Sequence, residues 1–459
     1  PPRFAHTHVM TLPSPAWFKD PRHLPPQSWS NLALFMLPAM ATTVPSGSSY
    51  AAVLLMLAGC VAFFKASPQD RSLPADARWL FLSFLPLALC WLLDDLASGL
   101  SAGRSAEKPI RMLLTLPALW YLAYRPPAHI WLWLGACVGT MMACAEAAYQ
   151  FFFLGMERAQ GAMFSIHFGD LVLMLGLMGL CAWYVPVDRK HWVFRAWLLM
   201  GCMAGLLASI LSGTRGAWLG LGVIVAIYTA YLLFGRHFKL LGALAAANAG
   251  LLAITLSMPS LNVQHRVQEA YSNIQAFSSS GVANTSVGAR LQMWQHAWKL
   301  YQERPLLGWQ RHGYLEQQRI GIARQELDPM LQQFDHPHNE WLNIAAKDGT
   351  VGLLALLVAY AVPFGIFLRL FLRAKQPRHA SLRAVAAAGM LVPSAYFGFG
   401  LTEAFLPHSS VITVYCYLLC LLWAVAHGLQ KQRLPQPVQP PAADPALPPS
   451  TSSPRHLAA

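Results

Sequence analysis

Long apolar runs separated by short polar connections make up most of this 459-residue chain. Many runs approach or exceed the roughly 20 residues that a helix needs to cross a hydrocarbon core of about 30 Å. We therefore expect an all-α polytopic membrane protein, because helices satisfy their own backbone groups in lipid. The pattern predicts about twelve transmembrane helices. Their expected ranges are 31–46, 48–65, 79–96, 110–124, 128–154, 164–185, 192–211, 215–235, 238–257, 349–372, 382–405 and 409–429.

The same pattern divides the chain into five parts. They are an N-terminal segment (1–29), spans one to nine (30–258), a long polar loop (259–346), spans ten to twelve (347–430) and a Pro-, Ala- and Ser-rich tail (431–459). The composition of the tail predicts disorder, and the first residues have no signal-peptide pattern. Within the loop, apolar residues return at helical spacing in 267–277 and 289–301, and 313–327 is also expected to be helical.

The distribution of lysine and arginine predicts the orientation. With the N-terminus in the cytoplasm, the short inner connections and their helix ends carry fourteen Lys or Arg, against five in the short outer ones. This positive-inside bias places both termini inside, so the long loop lies outside the cytoplasm.

The net charge of +13 does not indicate a nucleic-acid partner. Most of the excess is explained by the inner connections, and residues 259–348 carry eight Lys or Arg against eight Asp or Glu. The loop is thus no polyanion-binding patch, and any anion recognition there depends on a few placed arginines. All eight cysteines lie in predicted spans, which excludes a disulfide-stapled loop or a thiolate metal site in it.

The chemistry expected of this chain is concentrated in the segment Asp335-His336-Pro337-His338-Asn339-Glu340, just before an apolar helix. A lone histidine there would most simply cap or pack against the helix. Two imidazoles, an amide and a carboxylate in one turn favour a reaction site, since Asp335 can orient an imidazole. The helix that follows is expected to end at the Lys347-Asp348-Gly349 turn.

A second polar motif, Ser212-Gly213-Thr214-Arg215-Gly216, interrupts two apolar helices at the same face. The N-terminus of a helix with an arginine beside it is an anion site, although an arginine that reaches lipid headgroups is the simpler alternative. Arg290 offers a similar choice between a solvated helix charge and an anion contact. Glu146, Asp170 and Glu403 lie within or near spans, where structural pairing and substrate contact are both open.

Taken together, these features resemble the O-antigen ligase and polymerase (Wzy-C) superfamily, and within it most closely the O-antigen ligases of Gram-negative bacteria. The resemblance extends over residues 30–430 and rests on the Ser-Gly-Thr-Arg-Gly turn, an Arg-x-x-x-Trp helix, Pro-Leu-Leu-Gly-Trp at 305–309 and the closing His-Pro-His-Asn-Glu. It implies a GT-C-like, metal-independent glycosyltransferase without a cofactor, in the bacterial inner membrane with its site facing the periplasm. The implied donor is an undecaprenyl-pyrophosphate-linked O-antigen and the implied acceptor a sugar hydroxyl of lipid A–core.

The residues suit such a reaction on physical grounds. An imidazole has its ordinary pKa near neutrality, so His338 is expected to act as the base for the acceptor hydroxyl. Arg215 and Arg290 are expected to bind the pyrophosphate through bidentate hydrogen bonds, with His336, Asn339 and Glu340 as further substrate-binding residues.

Other functions share some of these features. A polysaccharide polymerase or a protein O-oligosaccharyltransferase would use the same donor with another acceptor. A secondary transporter is disfavoured because no internal repeat is visible. A zinc hydrolase using His336 and His338 is disfavoured because the sequence offers no clear third ligand.

Overall fold

The computed structural model describes residues 26–65, 72–97, 106–187, 191–214 and 286–432, together with the single positions 216, 222, 229, 242 and 246. The described residues are helical and contain no strand. The thirteen α-helices in them are Pro26–Met40 (α1), Gly47–Lys65 (α2), Ala75–Ala97 (α3), Glu107–Leu113 (α4), Thr115–Tyr124 (α5), Ile130–Ala148 (α6), Ser165–Leu180 (α7), His191–Leu211 (α8), Ser286–Glu303 (α9), Gln310–Ala323 (α10), Glu340–Arg373 (α11), Ala380–Phe399 (α12) and Ser409–Lys431 (α13).

Seven helical segments of the described ranges are long and apolar enough to cross a membrane. They are Ala75–Leu96, Ile130–Phe153, Ser165–Tyr184, His191–Leu211, Glu340–Arg373, Pro377–Phe399 and Ser409–Lys431. The chain is therefore an all-α membrane protein. The expected count of twelve remains a prediction, because the spans 215–235 and 238–257 lie outside the described residues apart from single positions.

Three predicted spans differ clearly from the helices observed. The span expected at 31–46 begins earlier and ends at Met40, because residues 41–46 form turns instead of helix. The expected span 110–124 is two helices, α4 and α5, because Pro117 has no N–H to donate to the carbonyl of Leu113. The expected span 382–405 ends at Phe399, so residues 400–408 form a connection instead of helix. This last difference matters for function, because the connection carries Glu403.

The helices of the polar loop pack directly on the bundle. Helices α9 and α10 both pack against α11. They confirm the helices expected at 289–301 and 313–327. Helix α10 begins three residues earlier than expected and also ends earlier. The helix expected at 267–277 lies outside the described residues. A buried group formed by Ala297, Leu300, Tyr314 and Ala346 joins α9, α10 and α11.

A kink at Gly349 divides α11 into a short first part and the membrane-spanning part, as the Lys347-Asp348-Gly349 turn predicts. Gly349 has φ 66° and ψ −158°, a region open essentially to glycine alone. The turn at 305–309 is hydrogen-bonded to the backbone on both sides of the kink. Thr350 N donates to Pro305 O at 2.7 Å, and Trp309 N donates to Ala346 O at 2.9 Å. The kink thereby fixes the first part of α11 over the end of the bundle.

Replacing Gly349 with alanine is expected to destabilise the protein by about 1–3 kcal/mol through backbone strain alone. A Cβ there would also stand 2.4 Å from the carbonyl oxygen of Leu306, which adds a clash. Thermal unfolding in detergent measures the effect. Gly365→Ala in the same helix is the matched control, because a Cβ at Gly365 meets nothing within 4 Å. Equal melting temperatures for the two variants would contradict the strain assigned to the kink.

Candidate functional site

The turn before α11 presents two imidazoles to the same place. Asn339 is the N-cap of α11, and its side-chain oxygen accepts from Leu342 N at 3.0 Å. His338 precedes it with φ 48°, in the left-handed region that few non-glycine residues adopt and in which histidine is enriched. This conformation brings the rings of His336 and His338 to a centroid distance of 4.6 Å.

Glu403 lies between these two imidazoles and binds both. His336 Nε2 is 2.8 Å from Glu403 Oε1, and His338 Nδ1 is 2.9 Å from Glu403 Oε2. The Glu403 side chain is 3% exposed, so these bonds are shielded from water. The connection 400–408 thus supplies a carboxylate that joins the two histidines into one cluster.

The charges in this cluster follow from its hydrogen bonds. His336 Nδ1 is also 2.8 Å from Asp335 Oδ1, so both ring nitrogens face carboxylates. Ionised carboxylates only accept, and therefore both nitrogens of His336 donate and the ring is an imidazolium. Burial alone would lower the pKa of His336, but the bonds to Asp335 and Glu403 outweigh it and raise this pKa to about 9.

The pKa values of the two carboxylates, Asp335 and Glu403, shift downward. The hydrogen bond from His336, with the nearby charges of Lys347 and Arg311, holds the pKa of Asp335 well below its ordinary value. Burial alone would raise the pKa of Glu403, yet the bonds from His336 and His338 hold it well below its ordinary value. Both acids are therefore ionised at neutral pH.

We expect the melting temperature of the protein to fall as the pH rises from about 6.5 to about 9. The raised pKa of His336 means that its contribution to folding is complete below the ordinary histidine pKa and is lost as the pH passes its folded pKa of about 9. One pKa unit corresponds to about 1.4 kcal/mol, so a shift of this size corresponds to about 3 kcal/mol.

Melting curves of the wild type and His336→Gln across this pH range test the assignment, with His312→Gln as a control on the exposed face of α10. Only the His336 variant should lose this part of the pH dependence. A wild-type profile that the substitution leaves unchanged would show that His336 is not the imidazolium.

His338 has the arrangement of a base. Its Nδ1 lies 3.1 and 2.9 Å from the two oxygens of Glu403, so Nδ1 carries a hydrogen and donates it. In the neutral ring the lone pair is then on Nε2, which is free to accept a proton. When Nε2 takes a proton, the imidazolium formed is stabilised by the charge of Glu403. The same logic applies to the histidine of a catalytic triad.

Asn339 and Glu340 bind the connection that carries Glu403. The Asn339 amide donates to Leu401 O at 3.0 Å, and the backbone N of Glu340 donates to Gly400 O at 2.7 Å. The Glu340 carboxylate is fully buried and accepts from the backbone N–H groups of Phe405 and Leu406. In the structure these two side chains bind the connection at 400–408. Their contact with substrate remains a prediction.

Two further histidines extend the cluster on the other side of Glu403. The ring centroids of His167 and His408 are 4.0 Å apart, and the ring centroid of His408 is 6.0 Å from that of His336. Burial, followed by the charge of His336, lowers the pKa of His408 to about 4. His408 is therefore neutral at physiological pH, in contrast with His336.

The cluster also contains two sets of three residues with suitable spacing for a metal. His336, His338 and Glu403 form one set, and His167, Glu403 and His408 form the other, each with its ligand atoms within 4.8 Å of one another. The missing third ligand that counted against zinc in the sequence analysis is thus present as Glu403. A metal ligand must be deprotonated, so an ion bound by the first set would have to displace a proton from His336. The absence of a metal requirement remains a prediction.

The residues flanking Arg215 lie beside the same connection. Thr214 Oγ1 donates to Ser165 O at 2.9 Å, and it is 2.8 Å from Ser212 Oγ. A Cβ placed on Gly216 would be 2.2 Å from Thr402 Oγ1, so the turn approaches the neighbour of Glu403 closely. Arg215 itself lies outside the described residues, and its role as an anion contact remains a prediction.

Arg290 lies on α9, which contacts the turn that carries His336 and His338. One turn further along α9, the Trp294 indole N–H donates to the carbonyl oxygen of Pro337 at 2.8 Å. Residues four apart share one face of a helix, so Arg290 lies on the side of α9 that meets this turn. Its side chain is partly buried.

The structure therefore places His336, His338, Asn339 and Glu340 in one cluster, with Arg290 on a supporting helix. From the sequence Glu403 is predictable only as an acid near a span, whereas in the structure it lies at the centre of the cluster. The available signal was a carboxylate only a few residues from His408 at the end of an apolar run.

Comparisons with known proteins show what this chain is similar to. Residues 198–357 match the family model described as O-antigen ligase (Wzy_C), a range that includes Arg215, Arg290 and the histidine turn. An uncharacterized protein of Haemophilus influenzae is 24% identical over 393 residues, which cover 85% of this chain and 96% of the relative. Glu403 lies beyond the range matched by the family model.

Proposed function

We propose that this chain, which the family match assigns to the O-antigen ligase (Wzy_C) superfamily, is a lipopolysaccharide O-antigen ligase. In this proposal it transfers a glycan from undecaprenyl pyrophosphate to a sugar hydroxyl of lipid A–core. The reaction takes place at the periplasmic face of the bacterial inner membrane, in a GT-C-like enzyme without a cofactor. The charge distribution of the short connections supports this orientation.

The observation that carries the proposal is the Glu403-bridged pair of histidines beside the turn that flanks Arg215. The carboxylate fixes the tautomer of His338, and the imidazolium of His336 keeps that carboxylate ionised. A base of this kind suits an acceptor with a hydroxyl group, whose proton must leave as the new bond forms. Asn339 and Glu340 serve this reaction by positioning the connection that carries Glu403.

The proposed step is a single displacement. His338 Nε2 takes the proton of the acceptor hydroxyl while the acceptor oxygen attacks the anomeric carbon of the donor sugar. The bond from that carbon to the phosphate oxygen breaks, and its electron pair leaves with undecaprenyl pyrophosphate. The proton remains on His338, whose positive charge is paired with Glu403, until it is released to solvent.

Arg215 and Arg290 are proposed to bind the pyrophosphate as its negative charge develops. Lysine keeps the charge but lacks the planar fork that binds two phosphate oxygens at once. Arg215→Lys and Arg290→Lys are therefore expected to lower the ligation rate by about 10- to 100-fold, the effect of losing one charged hydrogen bond. Rates measured on purified protein in membranes or detergent test this.

Arg319→Lys is the control, because Arg319 is an exposed residue of α10 that pairs with Glu316 at 3.6 Å. It should retain the wild-type rate. Normal rates for both Arg215→Lys and Arg290→Lys would rule out bidentate binding and leave only a requirement for positive charge.

One reconstitution tests the proposed function against its nearest alternatives. Purified protein is mixed with lipid-linked glycan and lipid A–core, and the products are separated on a gel. Glycan joined to lipid A–core supports the ligase. Elongation of the lipid-linked glycan alone would identify a polymerase. Glycan attached only to an added protein acceptor would identify a protein O-oligosaccharyltransferase.

A further inference from the structure

A polar cavity of about 230 Å³ opens next to the histidine cluster. It lies between the end of α3, the short helix α4, the start of α10 and the first part of α11. His336 forms part of its wall, and Trp91, Asp94, Lys108, Asn343 and Asp348 form much of the remainder. The cavity therefore leads directly to the residue that shares Glu403 with the proposed base.

The charges of the cavity do not favour a pyrophosphate. Four cationic groups line it, with His336 counted as an imidazolium, and they face four carboxylates. The cations are Lys108, Arg311, Lys347 and His336, and the carboxylates are Asp94, Asp95, Asp335 and Asp348. Arg311 is also paired with Asp335 at 3.2 Å, and Lys347 donates to the carbonyl oxygen of Asp335 at 2.8 Å. A dianion would meet no net positive field here, whereas a neutral polyhydroxyl ligand would find donors and acceptors.

Several of these groups have hydrogen-bonding capacity that the described residues do not use. Asn343 is 2% exposed, and its side-chain oxygen has no partner among the described residues. The ammonium of Lys108 and the carboxylate of Asp348 make no hydrogen bond with the described part of the chain. Buried polar groups are normally satisfied, so the unpartnered oxygen of Asn343, with the Asp348 carboxylate and the partly buried Lys108 ammonium beside it, suits a ligand rich in hydroxyls. The half-buried indole of Trp91 adds an apolar surface for the face of a sugar ring.

We propose that this cavity binds the acceptor sugar whose hydroxyl His338 deprotonates. The inference rests on the proposed function and adds to it the location and chemical class of the acceptor, a neutral pyranose. The donor sugar is joined to a pyrophosphate, which is proposed to bind Arg215 and Arg290, whereas the cavity is bounded by His336, whose ring centroid lies 4.6 Å from that of His338. The volume lies below the roughly 300 Å³ at which pockets for drug-sized ligands begin, which suits a single ring with the rest of its glycan outside the cavity.

Kinetics with each substrate varied in turn test this assignment. Lys108→Gln and Asp348→Asn remove a charge and keep the approximate shape. Each is expected to raise the KM for lipid A–core about 10- to 100-fold, the effect of losing a hydrogen bond to a charged group, while kcat and the donor KM stay within about twofold. Lys299→Gln is the control, because Lys299 is an exposed residue paired with Glu326 at 3.5 Å on the surface. An unchanged acceptor KM in both variants, or a rise in the donor KM instead, would overturn the proposal.

A binding measurement separates this proposal from the proposed function. Calorimetry with delipidated core oligosaccharide is carried out on the full chain, with Lys108→Gln and Lys299→Gln compared under the same conditions. Binding to the wild type and to Lys299→Gln, with at least a tenfold loss in Lys108→Gln, supports the cavity as a glycan site even if no ligation is found. Equal binding by all three proteins, or no binding to the wild type, would overturn it.

Discussion

Replacing His338 with alanine is expected to lower the ligation rate by about a hundred- to ten-thousand-fold, the usual contribution of a positioned base. The physical reason is that Glu403 fixes the hydrogen of His338 on Nδ1 and leaves Nε2 to accept the proton of the acceptor. The donor should still bind, because its pyrophosphate is proposed to bind Arg215 and Arg290 instead of His338. Initial rates with purified protein, together with donor binding, measure both effects.

His312→Ala is the matched control, since His312 is an exposed histidine of α10 away from the cluster. It should keep the wild-type rate. Turnover by His338→Ala close to that of the wild type would remove His338 from the role of base.

The same assay decides whether a metal takes part. We expect the rate to persist in a chelator, because the proposed displacement needs only a base for the acceptor and cationic side chains for the pyrophosphate. Loss of activity in the chelator, with recovery when zinc or magnesium is added, would contradict the metal-free mechanism. The sets formed with Glu403 would then be the first candidates for the ion.

The second large effect is expected for Glu403→Gln, which removes one negative charge and keeps the shape of the side chain. An amide cannot accept from both imidazoles with its two terminal atoms, so the tautomer of His338 is no longer fixed and its positive charge is no longer balanced. An equivalent change in a catalytic triad costs about ten-thousand-fold in kcat. We expect a loss of about a hundred- to ten-thousand-fold in kcat, with the donor KM little changed.

Glu326→Gln is the control for a carboxylate on the surface of the same protein, where Glu326 pairs with Lys299. Glu403→Asp distinguishes charge from structure, because a shorter carboxylate should restore part of the rate that the amide loses. A Glu403→Gln protein that folds and ligates normally would show that Glu403 only packs the connection. A fall in kcat with an altered pH profile would support its positioning of the base.

The sequence predicts most of the fold because its signals are local. Apolar runs of span length give the bundle, and the helical spacing of Leu291, Trp294 and Trp298 gives α9. The Lys347-Asp348-Gly349 turn likewise predicts the kink that the structure contains at Gly349. The division of α4 from α5 is a local proline effect that an apolar run alone does not reveal.

The candidate site depends on contacts that are distant in sequence. Glu403 meets His336 and His338 from 67 and 65 residues away, so no spacing rule connects them. The predicted extension of a span through residue 405 also placed this carboxylate inside a helix, whereas α12 ends at Phe399. The hydrogen bonds that Glu340 accepts from the N–H groups of Phe405 and Leu406 hold this connection in its conformation. None of these bonds has a signature in the linear pattern of polar residues.

The anomeric configuration of the product tests the central claim most directly. A base that activates the acceptor for one displacement must invert the configuration at the donor sugar, while a protein nucleophile would require two displacements and retain it. Ligated product from the reconstituted enzyme can be compared with the lipid-linked donor by NMR of the anomeric proton. A single displacement gives an inverted linkage in lipid A–core, whereas a retained linkage would show that His338 does not activate the acceptor for one displacement.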